Sequence, residues 1–409
     1  IDRNQKLIFN ELLAQQVQQY DAARPYHASS PLWGWGHKEC FTEGDSHYWG
    51  VWWGEEPFEV WKNKVGRFMS EFGFQSYPQM SVIEQFTNKD ERRLNSSAMQ
   101  NHQKHARGMA LIGSAMQQYF YEPDNLADFL YISQLTQALG TGQALEVFRM
   151  KMPYCMGALY WQLNDCWPVA SWSSIDFYGN WKALHYETAR QYRNIIIACD
   201  TFCHSGTNIY IVNDNLSDIV GICTLELTDF QGNLLSSENI ALTAKGNNSN
   251  YLTYYQLNEK YENRKESCFL RIIFKDNNFN ILAEKVHFFL YPNALQLKPC
   301  RSAIVLGVPE APKGKTKHDV SHFPHIESGD NLQTDFSFIC ETDTTQIYVL
   351  TLSSPCLKYG VAVEADAPCR FSDNYFLLMP DEEKKITITI DTKPASPTVT
   401  RFDIRSFGK

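Results

Sequence analysis

Val65-Gly-Arg-Phe-Met-Ser-Glu71-Phe-Gly73 is an apolar run that ends on a carboxylate, with a glycine two residues later. Its length and composition read as a buried strand, Val65–Glu71, with Glu71 at the carboxyl end. A carboxylate at the end of a buried strand costs free energy to hold unless it is paired or used. Gly73 lets the chain turn sharply away and leaves the Glu71 side chain facing the mouth of the sheet. Two readings stand at this point: a catalytic glutamate, or a strand-end ion pair.

The flanking sequence repeats the pattern. Pro25–Ser30 (PYHASS), Ser46–Trp53 (SHYWGVWW) and Cys155–Leu163 (CMGALYWQL) read as three further short strands. Polar or aromatic residues stand at their ends: Ser29-Ser30, Tyr48 with Trp49, and Asn164-Asp165. Helical stretches lie around them. An opening amphipathic helix carries Ile8, Phe9, Leu12, Leu13, Val17 and Tyr20 at helical spacing. A second covers Arg92–Tyr119. A third is capped by Asp124 or Asn125 and runs through Leu126, Phe129, Ile132, Leu135 and Leu139. A fourth spans Lys182–Asn194. Strands separated by helices predict a parallel sheet, whose ligands bind at the carboxyl ends of the strands. Four strands are half of an eight-stranded barrel.

All ten tryptophans lie between Trp33 and Trp181, and the 228 residues that follow hold none. They bunch as Trp33/Trp35, Trp49/Trp52/Trp53 and Trp161/Trp167/Trp172. Flat apolar faces beside polar groups suit a sugar ring, although any one tryptophan is equally good core material. For Trp33 and Trp35, flanked by Gly34 and Gly36, a rim loop and core packing are equal alternatives.

After residue 195 the texture changes. Asn208–Val212, Ile219–Leu227, Cys268–Phe274 and Ala283–Leu290 alternate apolar and polar residues, separated by turn clusters such as Asp229-Phe-Gln-Gly-Asn233 and Asp276-Asn-Asn278. This predicts an all-β sandwich. A break near Tyr291-Pro292-Asn293 precedes a second β-rich block with strands in Asp335–Cys340, Gln346–Leu352, Tyr375–Met379 and Lys385–Ile390. Pro309–Pro324, with the basic cluster Lys313–His318, reads as a solvated loop. The expected domains are 1–195, 196–292 and 293–409.

Bulk properties exclude several classes. With 409 residues, 44% hydrophobic and 20% charged, the chain is long enough for two or three globular domains. A net charge of −9 without a long basic run argues against a nucleic-acid partner. No apolar stretch approaches the roughly 20 residues a membrane helix requires. The eleven cysteines show no CxxC pair and read mostly as buried thiols. His102-Gln-Lys-His105 has helical i, i+3 spacing, but no carboxylate or cysteine completes a metal set. Neither a metal nor another cofactor is expected. The first residue is not Met and no leader segment precedes the opening helix, which excludes no compartment; a periplasmic or secreted setting is the expectation.

Three motifs together resemble the β-mannosidases of glycoside hydrolase family 2: Ser-Glu-Phe-Gly-Phe-Gln-Ser (70–76), Gly-Ala-Leu-Tyr-Trp-Gln-Leu-Asn-Asp (157–165) and Trp181-Lys-Ala-Leu-His-Tyr186. Arg370-Phe-Ser-Asp-Asn374 adds to the likeness. The resemblance implies the carboxyl-terminal half of a TIM (β/α)8 barrel followed by two immunoglobulin-like β-sandwiches, a multidomain α/β plus all-β architecture. It implies a retaining exo-β-mannosidase acting on a β-mannoside oligosaccharide or glycan, with Glu71 as the nucleophile. By the same match Tyr48 would hydrogen-bond that nucleophile, Trp161 would floor the sugar subsite, and Asn164 and Asp165 would reach ring hydroxyls. Asp45, His47 and the Trp49/Trp52/Trp53 group would line the mouth. The family's general acid lies in an Asn-Glu pair at an earlier strand end. Here the comparable pair is Asn10-Glu11, inside the opening helix, so the acid is expected upstream of Ile1. The alternatives are a hydrolase for another β-sugar (galactoside, glucuronide or glucosaminide), or an inactive sugar-binding or scaffold fragment.

Overall fold

The computed structural model describes residues 3–306, 325–327, 332–342, 344–391, 399 and 401–408. The expected loop Pro309–Pro324, including Lys313–His318, lies outside them. The rest is mostly β-sheet with a helical layer near the amino end.

Three short strands, β1 (Trp33–Gly34), β2 (Ser46–His47) and β3 (Met69–Glu71), run parallel in that order. A parallel bridge from Met69 to Ala158 sets the segment Gly157–Trp161 beside β3. Of the expected strand Val65–Glu71 only Met69–Glu71 forms, and Cys155–Leu163 holds an isolated bridge at Ala158 rather than a strand; the first ladder residue is Trp33 rather than any of Pro25–Ser30. Pro25 and Pro31 bracket that run, and proline both lacks a ladder donor and restricts the residue before it. The second run also stops early. Beyond His47 the chain turns through Trp49–Gly54, where the Gly54 backbone packs so close to the Gly50 carbonyl that a Cβ would stand 2.6 Å from it.

Helix α1 (Gly108–Tyr119), helix α2 (Leu126–Met150) and helix α3 (Ala183–Gln191) cover the sheet. The expected helix Arg92–Tyr119 is broken into Ser97–Asn101, capped by Ser96, and α1. The break falls where His102 turns its Nδ1 to the Pro168 carbonyl, 2.5 Å away, and Gln103 bridges to Ala170. Of the two expected candidates Asn125 caps α2, its side chain accepting from the Asp128 amide at 2.9 Å.

The buried polar residues of α2 explain its place. Gln137 accepts from the Ser76 hydroxyl (2.6 Å) and donates to the Phe74 carbonyl (2.7 Å), while Ser133 Oγ accepts from the Tyr77 amide (3.1 Å). The segment leaving Glu71 is therefore clamped to α2 by side chains that satisfy its otherwise orphaned backbone groups. The opening helical segment Arg3–Tyr20 differs: Leu7, Ile8, Phe9, Leu12 and Leu13 are all exposed.

Two antiparallel sheets follow, one of β4 (Ile195–Cys199), β5 (Gly206–Asn213) and β8 (Asn248–Gln256), the other of β6 (Ile219–Asp229), β7 (Leu234–Ala244), β9 (Cys268–Asp276) and β10 (Ile281–Phe288). They enclose a core that includes Ile209, Ile211, Leu225, Leu227, Leu270 and Ile272. A second pair has strands of Arg301–Val305, His325–Glu327, Lys358–Ala365, Phe376–Leu378 and Arg401–Phe407 in one sheet. Gln333–Glu341, Thr345–Ser353, Cys369–Phe371 and Lys384–Asp391 form the other.

His287 on β10 is buried, its Nε2 3.0 Å from the His204 carbonyl, and burial lowers its pKa to about 4. A base with a depressed folded-state pKa contributes stability above its unfolded value of 6.5 and loses it as pH falls toward the folded value. Unfolding free energy is expected to drop by about 3 kcal/mol from this group between pH 6.5 and 4. In His287→Gln that component of the slope should vanish in denaturant titrations across this range. An unchanged slope would show that the imidazole is not held neutral.

Candidate active site

β2 and β3 pair with His47 opposite Glu71, so the two side chains stand on one face at the carboxyl ends of the strands. His47 Nδ1 lies 3.4 Å from Glu71 Oε2, and its Nε2 lies 3.8 Å from Asp45 Oδ2. Two residues beyond His47, the Trp49 indole donates to Glu71 Oε1 at 2.9 Å. Glu71 is thus gripped on one oxygen by an indole N–H and faced on the other by an imidazole, with 24% of its side chain still exposed. Asp45 in turn accepts from Ser30 (2.6 Å) and Ser70 (2.5 Å). Partial burial opposes its ionisation, but these hydroxyls and His47 outweigh that and hold the Asp45 pKa below the usual carboxylate range.

The arrangement corrects the expectation for Tyr48. Its backbone amide bonds to the Glu71 carbonyl at 2.9 Å, while its phenol donates to Glu56 and its ring packs on Trp61 and Phe41 in the core. Successive residues of an extended strand point to opposite faces, so a His47 that meets Glu71 turns Tyr48 away from it. Trp49 takes the donor role instead. Positions 47 and 49 share a face once position 47 is paired with Glu71, a pairing that only the fold reveals.

Asp165 is the second correction. Its side chain is buried and makes an ion pair with Lys104 (2.7 Å) while accepting from Ser171 (2.6 Å) and Ser173 (2.5 Å). With its oxygens committed inside the protein, it is a structural hub rather than a contact for ring hydroxyls. Asn164 beside it is exposed, and so is Trp161, whose amide bonds to the Phe72 carbonyl at 2.8 Å. Gly73 faces this segment so closely that a Cβ would lie 2.2 Å from the Trp161 carbonyl oxygen. The glycine serves the close approach of two backbones, which holds Trp161 beside the segment that leaves β3.

The tryptophans divide by position. Trp52 and Trp61 are fully buried, so Trp52 does not line the mouth as expected; it packs edge-on against Phe74 and Trp172. Trp53 is half exposed, standing on His105 with ring centres 4.4 Å apart. Trp49 meets Trp172 edge-on at 6.1 Å, giving a continuous aromatic wall beside Glu71. Trp33 donates to Glu43 at 3.0 Å and Trp35 is exposed. His102 stacks on Phe86 and His105 on the tryptophans, and the described residues contain no group of three or more ligands suited to a metal ion. Glu11, expected to be unable to serve as the acid, is exposed on the opening helix.

A cavity of about 490 Å³ lies elsewhere, where α2 and α3 meet both sandwiches. Its charges already pair with one another, Lys285 with Glu146 at 2.8 Å and Arg190 with Asp373 at 2.6 Å. It is a seam between layers, whereas Glu71, His47 and Asp45 meet at a separate, partly open place.

Two models of domain families match the chain. A mannosidase Ig/CBM-like domain covers residues 205–292 and an Ig-fold domain of mannosidases covers 339–407. The β-mannosidase B of Thermothelomyces thermophilus is 31% identical over 268 residues, which are 58% of this chain and 31% of that protein. The Aspergillus terreus β-mannosidase B is 33% identical over 193 residues, 45% of this chain and 22% of its own length. The chain therefore spans a third or less of these curated relatives. Among solved structures, a β-D-mannosidase from Dictyoglomus thermophilum superposes with a TM-score of 0.76 at 25% identity, covering 96% of this chain and 43% of that one. An exo-chitosanase from Amycolatopsis orientalis shares the fold at 15% identity, with a TM-score of 0.59 over 82% of this chain and 42% of its own. By sequence and by fold, the chain is similar to the carboxyl-terminal portion of β-mannosidases, and its two sandwich domains match domain models of mannosidases.

Proposed function

We propose that the chain carries the nucleophile side of a retaining exo-β-mannosidase, with residues 1–195 forming the carboxyl-terminal half of a (β/α)8 barrel and 196–292 and 293–409 its two sandwiches. The observation that carries this reading is Glu71: a strand-end carboxylate, still open to solvent, oriented by Trp49 and His47. A carboxylate so held is aimed, as attack on an anomeric carbon requires. Glu71 would form the glycosyl-enzyme, which water then hydrolyses with retention. Trp161 would stack under the sugar, with Asn164 beside it for the hydroxyls. Trp49, Trp53, His47 and Asp45 would bound the pocket.

A retaining mechanism needs a second carboxyl group roughly 5–5.5 Å from the first. Among the described residues Asp45 is tied to Ser30 and Ser70, and Glu11 is exposed on the opening helix. On this reading, in keeping with the family resemblance, the proton donor is assigned to chain outside these residues.

Dinitrophenyl β-mannoside tests the reading, because dinitrophenolate departs without protonation. A burst of dinitrophenolate with the mannoside, and none with the matching galactoside, is the expected result. Equal rates on the two sugars would remove the mannose assignment, and silence on both would remove the claim that these residues assemble the subsite.

A further inference from the structure

Asp176-Phe-Tyr-Gly-Asn180 is a tight loop locked by its first residue. The buried Asp176 carboxylate accepts from the Tyr178 amide (2.9 Å), the Asn180 amide (3.0 Å) and the Asn180 side chain (2.9 Å). Gly179 supplies the positive φ of 86° that closes the turn, and Ile175 bridges to Trp181 across its base. This rigid frame presents two rings to solvent: Phe177 is 45% exposed and Tyr178 43%, packed edge to face at 5.1 Å.

The same turn occurs at Asp229-Phe-Gln-Gly-Asn233, where Asp229 accepts from the Gln231 amide (3.1 Å) and the Asn233 amide (2.9 Å). There the phenylalanine, Phe230, is buried at 3% exposure. The loop geometry does not by itself force the ring outward. At Phe177 the exposure is a feature of that place in the fold.

That place adjoins the candidate site. Ser174 donates to the Gln162 carbonyl (3.0 Å) and Ile175 to the Leu163 carbonyl (2.8 Å), so the loop continues directly from the segment that carries Trp161. Ile175, at the base of the loop, bridges to Asn164 and to Trp181, and the Trp161 and Trp181 side chains are exposed as Phe177 and Tyr178 are.

We infer that Phe177 and Tyr178 form a binding platform for the leaving-group side of the substrate, stacking on the second sugar of a β-linked manno-oligosaccharide. This rests on the β-mannosidase reading above. Preorganised rings lose little entropy on stacking, and the Tyr178 hydroxyl adds a polar edge for a sugar hydroxyl. Single-sugar ligands do not reach the platform and should ignore it.

The test is the affinity of this chain for β-1,4-mannotriose and for methyl β-mannoside, in the wild type and in Phe177→Ala/Tyr178→Ala. Both side chains are half in solvent, so unchanged thermal unfolding of the double variant is expected and serves as the folding control. A loss of about tenfold or more in trisaccharide affinity with methyl mannoside binding unchanged is the expected outcome. Equal trisaccharide binding by wild type and variant overturns the platform alone. If the wild type binds neither ligand, the mannosidase reading fails and the platform with it.

Discussion

Glu71→Ala is expected to abolish the dinitrophenolate burst, lowering the rate of glycosylation by at least about a thousandfold, roughly 4 kcal/mol of barrier. Loss alone would not separate a nucleophile from a carboxylate that merely props the site, since Glu71 also anchors Trp49 and faces His47. Azide separates them. Removing the carboxylate leaves a space on the face of the sugar opposite the leaving group, and a small anion placed there can attack the anomeric carbon itself. With dinitrophenyl β-mannoside, which needs no acid for this step, the variant should regain turnover in azide and release an α-mannosyl azide. The inverted product is the signature of an anion acting where Glu71 acted. Restored turnover with a β-configured product, or no rescue in a variant that folds as the wild type does, would sink the nucleophile assignment.

The parts of the site that were legible in the sequence are those written in a local pattern. An apolar run ending in Glu71 marks the strand's carboxyl end though not its start, and Asp124-Asn125 ahead of a periodic helix narrows its cap to two residues, of which Asn125 serves. Tyr48 and Trp49 were exchanged because a one-residue difference inverts the face a strand residue presents, and the pairing partner that fixes the face lies 22 residues away in sequence. The division of tryptophans into buried Trp52 and exposed Trp161 was equally out of reach, since both are bulky aromatics whose burial is decided by tertiary neighbours. The sandwich strands that read clearly alternate apolar and polar residues. β7, with Ser236-Ser237-Glu238-Asn239, and β8, with Asn248-Ser249-Asn250, did not read as strands, because edge strands bury little and their polar residues erase the period. His102-Gln-Lys-His105 has the spacing of a helix but ends one: a tertiary bond from His102 to Pro168 outweighs local propensity.

Asp165 shows how a conspicuous polar residue at a strand end can belong to the scaffold, and it yields the larger stability prediction. Its carboxylate is almost wholly buried and compensates Lys104 at 2.7 Å while accepting from the Ser171 and Ser173 hydroxyls. Lys182 lies in the same interior, donating to the Ser76 and Ser171 carbonyls at 3.2 and 3.3 Å. Burial lowers the Lys182 pKa to about 7, and Asp165 is foremost among the charges that oppose the fall. Asp165→Ala leaves one partly buried cation unpaired, deprives a second of its support and strands two hydroxyls. A loss of about 3 kcal/mol in unfolding free energy is expected, because removing one partner of a desolvated pair exposes the cost the pair was offsetting. Adding Lys104→Met should recover part of it, since the unpaired ammonium then disappears. A residue that instead touched sugar would behave differently: Asp165→Ala would weaken methyl β-mannoside binding while unfolding at the same denaturant concentration. The first sandwich supplies an internal reference, because its core is a separate cluster and should retain its own unfolding signal. Should Asp165→Ala unfold within about 1 kcal/mol of the wild type yet bind the mannoside more weakly, the sugar-contact role would be restored and the hub assignment withdrawn.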